Sequence, residues 1–221
     1  MGLDSENAAR MIFDIETAPL LDAGDYLEKP DAPANYKDPA KIDAYIAEKH
    51  AENLERCGLD VDLCRIVAVG VMAEGDAPEV EFAADEPDER VLLREFWRRV
   101  GQRHLVGFNC LAFDLPVLLR RSLYLGVLAP TIVIDKYRHP NVTDLMRVLD
   151  FNGAIKARSL SFYCKRLGIV GQDEMTGADV AQAVAEGRWA AVAAHCRADV
   201  EKTAMLASRL GVFRPVEAGV L

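Results

Sequence analysis

The sequence predicts an α/β protein in which a mixed five-stranded sheet joins an antiparallel hairpin to parallel strands, with helices flanking it. Apolar residues alternate over 10–16, the pattern of a half-buried strand. A β-branched run at 65–72 is followed, across the turn-forming Glu74-Gly75-Asp76-Ala77-Pro78, by a second run at 79–83, and together they read as a hairpin. Beyond residue 88 short apolar strands alternate with stretches of helical period, as parallel strands joined by helices do. A chain of 221 residues, 51% of them apolar and 28% charged, can bury a sizeable core. We expect one domain over 1–221 with a partly helical insertion at about 18–63.

In the first strand Met11, Phe13 and Ile15 share one face, and Ile12, Asp14 and Glu16 the other. Residues 18–63 are rich in Pro, Asp and Ala, with a helix expected over 39–56 whose apolar positions are Ile42, Tyr45, Ile46, the Lys49 stem and Leu54. The next helix, 88–103, carries a stripe of Leu92, Phe96 and Val100, with Arg94, Arg98 and Arg99 off it. Residues 105–109 form a short buried strand, and a helix begins near Asp114, tolerating Pro116 in its first turn and stopping at Gly126. Residues 132–134 are expected as the fifth strand and 142–150 as a short helix. A helix over 159–167 is capped by Ser159 and ended by Gly168, and 188–210 is the longest helical pattern.

No span of a bilayer is expected, because the longest uncharged apolar run, 122–134, contains Gly126 and Pro130. The first ten residues carry Asp4 and Glu6 and no apolar stretch, so no secretory signal is read there. Five cysteines (Cys57, Cys64, Cys110, Cys164, Cys196) include no CxxC pair and sit among apolar residues, as reduced packing thiols do; a cytoplasmic protein with no membrane partner is expected. The net charge of −9 is unevenly spread: −8 over 1–73, −7 over 74–90 and +6 over 91–221. The basic C-terminal part keeps a nucleic-acid partner open, and the acidic 74–90 stretch should point away from one.

Four carboxylates and a histidine carry the chemistry. Asp14 and Glu16 lie two apart on one face of a strand, which costs free energy in a core unless a cation sits on them; an edge strand with a wet face would also explain them. Asp114 stands at a helix start, where it is either a cap or a ligand. His195 and Asp199 are four apart on one helix face beside the buried stripe Val192, Cys196, Val200; a surface hydrogen bond is the plainer explanation for the pair. Taken together, four hard oxygen donors suit Mg²⁺ or Mn²⁺ rather than zinc. Two such ions activate a water and stabilise the leaving oxygen of a phosphodiester, while a nearby histidine accepts the proton.

Phe13-Asp-Ile-Glu-Thr17, Gly107-Phe-Asn-x₃-Phe-Asp-Leu-Pro116 and His195-Cys-x₂-Asp-Val-x₂-Thr203, in that order, resemble the three exonuclease motifs of the DEDD superfamily of 3′–5′ exonucleases. The likeness is nearest to the exonuclease of family-B DNA polymerases and its stand-alone bacterial relatives, which the stretch Ser159-Leu-Ser-Phe-Tyr-Cys-Lys-Arg-Leu-Gly-Ile169 and Gly177-Ala-Asp-Val180 also resemble. The resemblance implies a ribonuclease H-like fold with Asp14, Glu16, Asp114 and Asp199 as metal ligands for two Mg²⁺ or Mn²⁺ ions. It departs from the pattern once: the polymerase-type subgroup has Tyr-x₃-Asp and the other has His-x₄-Asp, whereas this chain has His195-x₃-Asp199. A histidine there can take the water's proton directly, which a tyrosine of pKa near 10 does poorly, or it can only orient the water.

Residues 135–166 hold seven basic and three acidic residues with Tyr137, Phe151, Phe162 and Tyr163 interleaved, a composition that suits single-stranded nucleic acid. Within it Lys156 and Arg158 are the expected strand contacts, although solvated helix faces have the same composition. Asn109 and Phe113, beside the second motif, either touch the 3′-terminal nucleotide or pack; Asp144 reads as a helix cap. The expected activity is metal-dependent removal of nucleoside 5′-monophosphates from DNA 3′ ends, single strands preferred. The alternatives are trimming of RNA and, from a different class, a non-catalytic nucleic-acid-binding module.

Overall fold

Five strands form the sheet: β1 (Arg10–Pro19), β2 (Cys64–Ala73), β3 (Glu79–Phe82), β4 (His104–Gly107) and β5 (Val142–Asp144). They lie in the order β3-β2-β1-β4-β5, with β2 antiparallel to both its neighbours and β1, β4 and β5 parallel. The helices are α1 (Pro39–Arg56), α2 (Glu86–Val100), α3 (Asp114–Tyr124), α4 (Leu145–Leu149), α5 (Leu160–Leu167), α6 (Val180–Ala185) and α7 (Trp189–Arg209). The computed structural model describes residues 9–133, 139–169 and 175–213.

The alternation in β1 divides two cores. Met11, Phe13 and Ile15 join Leu92, Leu93, Phe96 and Trp97 of α2 and Leu115 and Leu118 of α3 on one side of the sheet. Ile12 meets Val200, Ala204 and Ala207 of α7 on the other, where Ala18, Val67 and Ala68 pack on Val192, Cys196 and α6. Asp14 and Glu16 therefore belong to the α7 side of a central strand, not to an edge. Between the pairs Glu16↔Ala68 and Thr17↔Ile66 the register skips Val67, a bulge in β2 opposite the end of the Asp14–Glu16 stretch. The Ile66 N–H beside the skipped residue is taken by Glu89 at 2.9 Å, and the same buried carboxylate accepts from Arg121 Nε and Nη2 at 2.8 and 2.7 Å, which ties β2 to α2 and α3.

Three expectations are corrected. Residues 132 and 133 form no strand: Ile132 packs against the core, Val133 is exposed, and Ile134 lies outside the described residues. The fifth strand is β5, where Val142 and Thr143 extend beside Leu105 and Val106, so the helix expected over 142–150 begins only after Asp144, whose side chain caps it by accepting from Met146 N. The helix expected over 88–103 starts earlier, behind the Asp85 cap, and stops at Gly101, whose φ of 47° no ordinary residue adopts cheaply. The helix over 39–56 is present, but none of its residues is buried; the base of its segment is closed by Leu20 N–H to Leu63 O and Thr17 Oγ1 to Gly58 O. All five cysteines are buried free thiols. No helix among the described residues is long and apolar enough to cross a membrane.

A glycine sets how closely α7 lies on the sheet. Gly70 pairs with Asp14 across β1 and β2, and a Cβ there would stand 2.6 Å from Val200 Cγ2 and 2.9 Å from Cys196 Sγ. Gly70→Ala should thus push α7 outward and cost about 1–3 kcal/mol, the usual range for an overpacked core. Urea unfolding measures it; an unchanged midpoint would mean that α7 has room to shift.

Candidate active site

Three elements bring the expected side chains together. β1 supplies Asp14 and Glu16, α7 supplies His195 and Asp199 one turn apart, and Asp114 opens α3. Asp114 is not the cap of that helix, since Phe113 occupies the N-cap position. Its Oδ1 instead accepts from the Ile15 N–H at 3.3 Å, between the two β1 carboxylates, where β1 has run beyond its pairing with β4. His195 Nε2 lies 3.6 Å from Glu16 Oε1. Asp199 Oδ1 accepts from Lys202 Nζ at 2.7 Å, so His195, Asp199 and Lys202 form one stripe down α7.

The cluster is electrostatically crowded. Asp14 is raised well above the usual carboxylate range by burial first, then by the charges of Asp114, Glu16 and Asp199, against which Lys202 works. Asp114 is pushed up to about 7 by burial, which the N–H groups of Asp114 and Ile15 only partly offset and to which Asp144 adds. Among the described residues Asp14, Glu16 and Cys196 place donor atoms within 4.8 Å of one another. Burial and the same carboxylates raise the Cys196 thiol, so it stays protonated and the oxygens are the available donors. Glu16 and Asp114 are buried and Asp14 and Asp199 half-buried, and such repelling hard oxygen donors are the set that a divalent cation such as Mg²⁺ or Mn²⁺ relieves.

The remaining expected residues lie around this centre. Asn109 is held at φ 60° in the turn after β4, and Phe113 packs against the α2–α3 core. Lys156 and Arg158 are exposed on the segment before α5 and do not join the cluster. From Arg158 a series of rings runs toward Asn109: the guanidinium stands 5.1 Å over Phe162, Phe162 meets Tyr163 at 5.5 Å, and Tyr163 meets Phe108, next to Asn109, at 6.3 Å. Lys136 and Tyr137 lie outside the described residues. The acidic 74–90 stretch is partly neutralised, with Glu79 and Glu81 on Arg99 and Glu89 on Arg121. Sequence reading missed Gly70, Lys202 and most of what Asp144 does. A glycine inside a strand and a lysine three after Asp199 were signals for the first two.

Comparison with protein families matches residues 59–216 to a model described as a predicted 3′–5′ exonuclease related to the exonuclease domain of PolB. Comparison with the curated proteins gives no match. Among solved structures the chain is similar to the family B DNA polymerase of the hyperthermophilic archaeon Pyrobaculum calidifontis, with 20% identity and a TM-score of 0.62 over 92% of this chain and 24% of that one. A product-bound exonuclease I is also found, at 15% identity and a TM-score of 0.48 over 93% of this chain and 44% of that one. This chain thus spans about a quarter of the polymerase and less than half of the exonuclease. The fold is the ribonuclease H-like α/β fold.

A carboxyl with a raised folded-state pKa binds its proton more tightly folded than unfolded, so stability is full below the unfolded value near 4 and is lost as pH climbs through the folded one. With chelator present, Tm should fall between about pH 4.5 and about pH 7.5 as Asp114 and Asp14 are forced to ionise. Mg²⁺ or Mn²⁺ should restore it at the upper end, and Asp114→Asn should flatten the slope. A Tm indifferent to both pH and cation would contradict the crowding described here.

Proposed function

This chain belongs to the family of predicted 3′–5′ exonucleases related to the exonuclease domain of PolB, and on that premise we propose that it hydrolyses DNA from the 3′ end, single strands preferred, releasing nucleoside 5′-monophosphates. The observation that carries the proposal is the meeting of Asp14, Glu16, Asp114 and Asp199, from three elements, close enough that the other three all raise Asp14. Their oxygens would hold two Mg²⁺ or Mn²⁺ ions. Such ions supply an activated water and stabilise the charge on the leaving oxygen.

The chain's own groups do the rest. His195 lies beside Glu16 and accepts the water's proton at Nε2, a role worth roughly 10²–10⁴ in rate. Lys202 steadies the Asp199 carboxylate. The strand leaves toward α5 and the segment before it: residues 151–169 carry Lys156, Arg158, Lys165 and Arg166 and no carboxylate, in a chain of net charge −9. Phosphates are drawn to such a surface and bases stack on its exposed rings. Asn109 faces the terminal nucleotide from its turn.

The test is degradation of 3′- and 5′-labelled single-stranded DNA and matched RNA with Mg²⁺, Mn²⁺ or chelator. Metal-dependent shortening from the 3′ end is expected. Asp14→Ala and Asp199→Ala should lower it by roughly three orders of magnitude or more, about 4 kcal/mol of transition-state binding, without lowering Tm. A faster rate on RNA would reassign the substrate, and wild-type turnover in either variant would remove the carboxylates from the chemistry. No cleavage of either polymer with any cation would leave a binding module.

A further inference from the structure

Asp144 ends β5 and is 3% exposed, and its two oxygens accept three backbone N–H groups. Oδ1 takes those of Met146 at 2.9 Å and Asn109 at 2.8 Å, and Oδ2 takes that of Leu111 at 3.1 Å. Capping α4 needs only the Met146 bond. The other two cross to the connection between β4 and α3, which leaves the sheet after Gly107, the residue paired with Asp144. N–H groups that leave a ladder need new acceptors, and one carboxylate provides them here. Asn109 holds φ 60°, a left-handed conformation that asparagine adopts more readily than other non-glycine residues.

The same connection is closed further on by Ala112 N–H to Asn109 O at 3.1 Å and Leu115 N–H to Cys110 O at 2.9 Å. Gly107 admits no Cβ, which would fall 2.7 Å from that of Cys110. Residues 108–113 are therefore a tight unit fixed at two points: at its start by Asp144 and at its end by the bond from Ile15 N–H to Asp114. We propose that Asp144 is a positioning residue, whose carboxylate sets where Asn109 and Asp114 stand against β1 and so sets the affinity of the carboxylate cluster for divalent cations. The inference rests on the exonuclease reading above. An amide cannot replace this carboxylate, because its N–H₂ would confront either the Leu111 N–H or those of Asn109 and Met146.

Mn²⁺ binding, measured by calorimetry without nucleic acid, separates this role from simple capping. Asp144→Asn should weaken Mn²⁺ binding about 10- to 100-fold, the usual effect of losing a group that orients a ligand. Asp144→Ser keeps an N-cap acceptor for α4 but is too short to span to Asn109 and Leu111, so it should fold and show the same loss. Asp85→Ala, which removes the cap of α2, should lower Tm and leave Mn²⁺ affinity unchanged. If both Asp144 variants bind Mn²⁺ as the wild type does, Asp144 is only a cap, and the exonuclease reading stands without it. A wild-type chain that binds no Mn²⁺ and cleaves nothing overturns both.

Discussion

Unit charges 4 Å apart repel by about 4 kcal/mol even in a partly screened site, and this chain holds Asp14, Glu16, Asp114 and Asp199 within one another's field. No single element could do so, because a lone strand or helix would turn its carboxylates to water. β1 cannot, being central and paired on both sides. α7 cannot swing away, because Val200 and Cys196 are seated against Gly70. Asp114 is fixed by a bond to the main chain of β1 itself. The packing of the ribonuclease H-like sheet supplies the rigidity that holds the carboxylates against their repulsion, and a bound cation would turn that stored cost into affinity.

The local patterns that mattered most could be read from the residues. Alternation over 10–16 assigned the two faces of β1, and the four-residue spacing of His195 and Asp199 put them on one side of a helix. Interactions between distant segments were harder to read. Val142-Thr-Asp144 is a strand because β4 lies beside it, and Ile132-Val133 pairs with no strand among the described residues; β propensity measures a fit to neighbours that a sequence does not display. Asp144 shows the same limit. Its capping of α4 is local and legible, whereas its bonds to Asn109 and Leu111 span more than thirty residues.

Charge is sorted by position as well as by number. The acidic 74–90 stretch is tied up with Arg99, Arg121 and Arg90, so less of its field reaches solvent than a count suggests. Residues 151–169 carry four cations and no carboxylate, and the rings of Phe162, Tyr163 and Phe108 run from Arg158 toward the turn that holds Asn109. A chain of net charge −9 can in this way present a surface to phosphates.

The α1 segment behaves differently from the sheet it interrupts. None of the residues of α1 is buried, and two hydrogen bonds close the segment's base. Opening α1 alone exposes little apolar surface, so it should cost less free energy than opening the sheet. Amide protons of α1 should therefore exchange with solvent through local openings, many times faster than those of β1, whose exchange waits for the whole domain to unfold. A protease that cuts within α1 would leave two fragments still held together by the sheet.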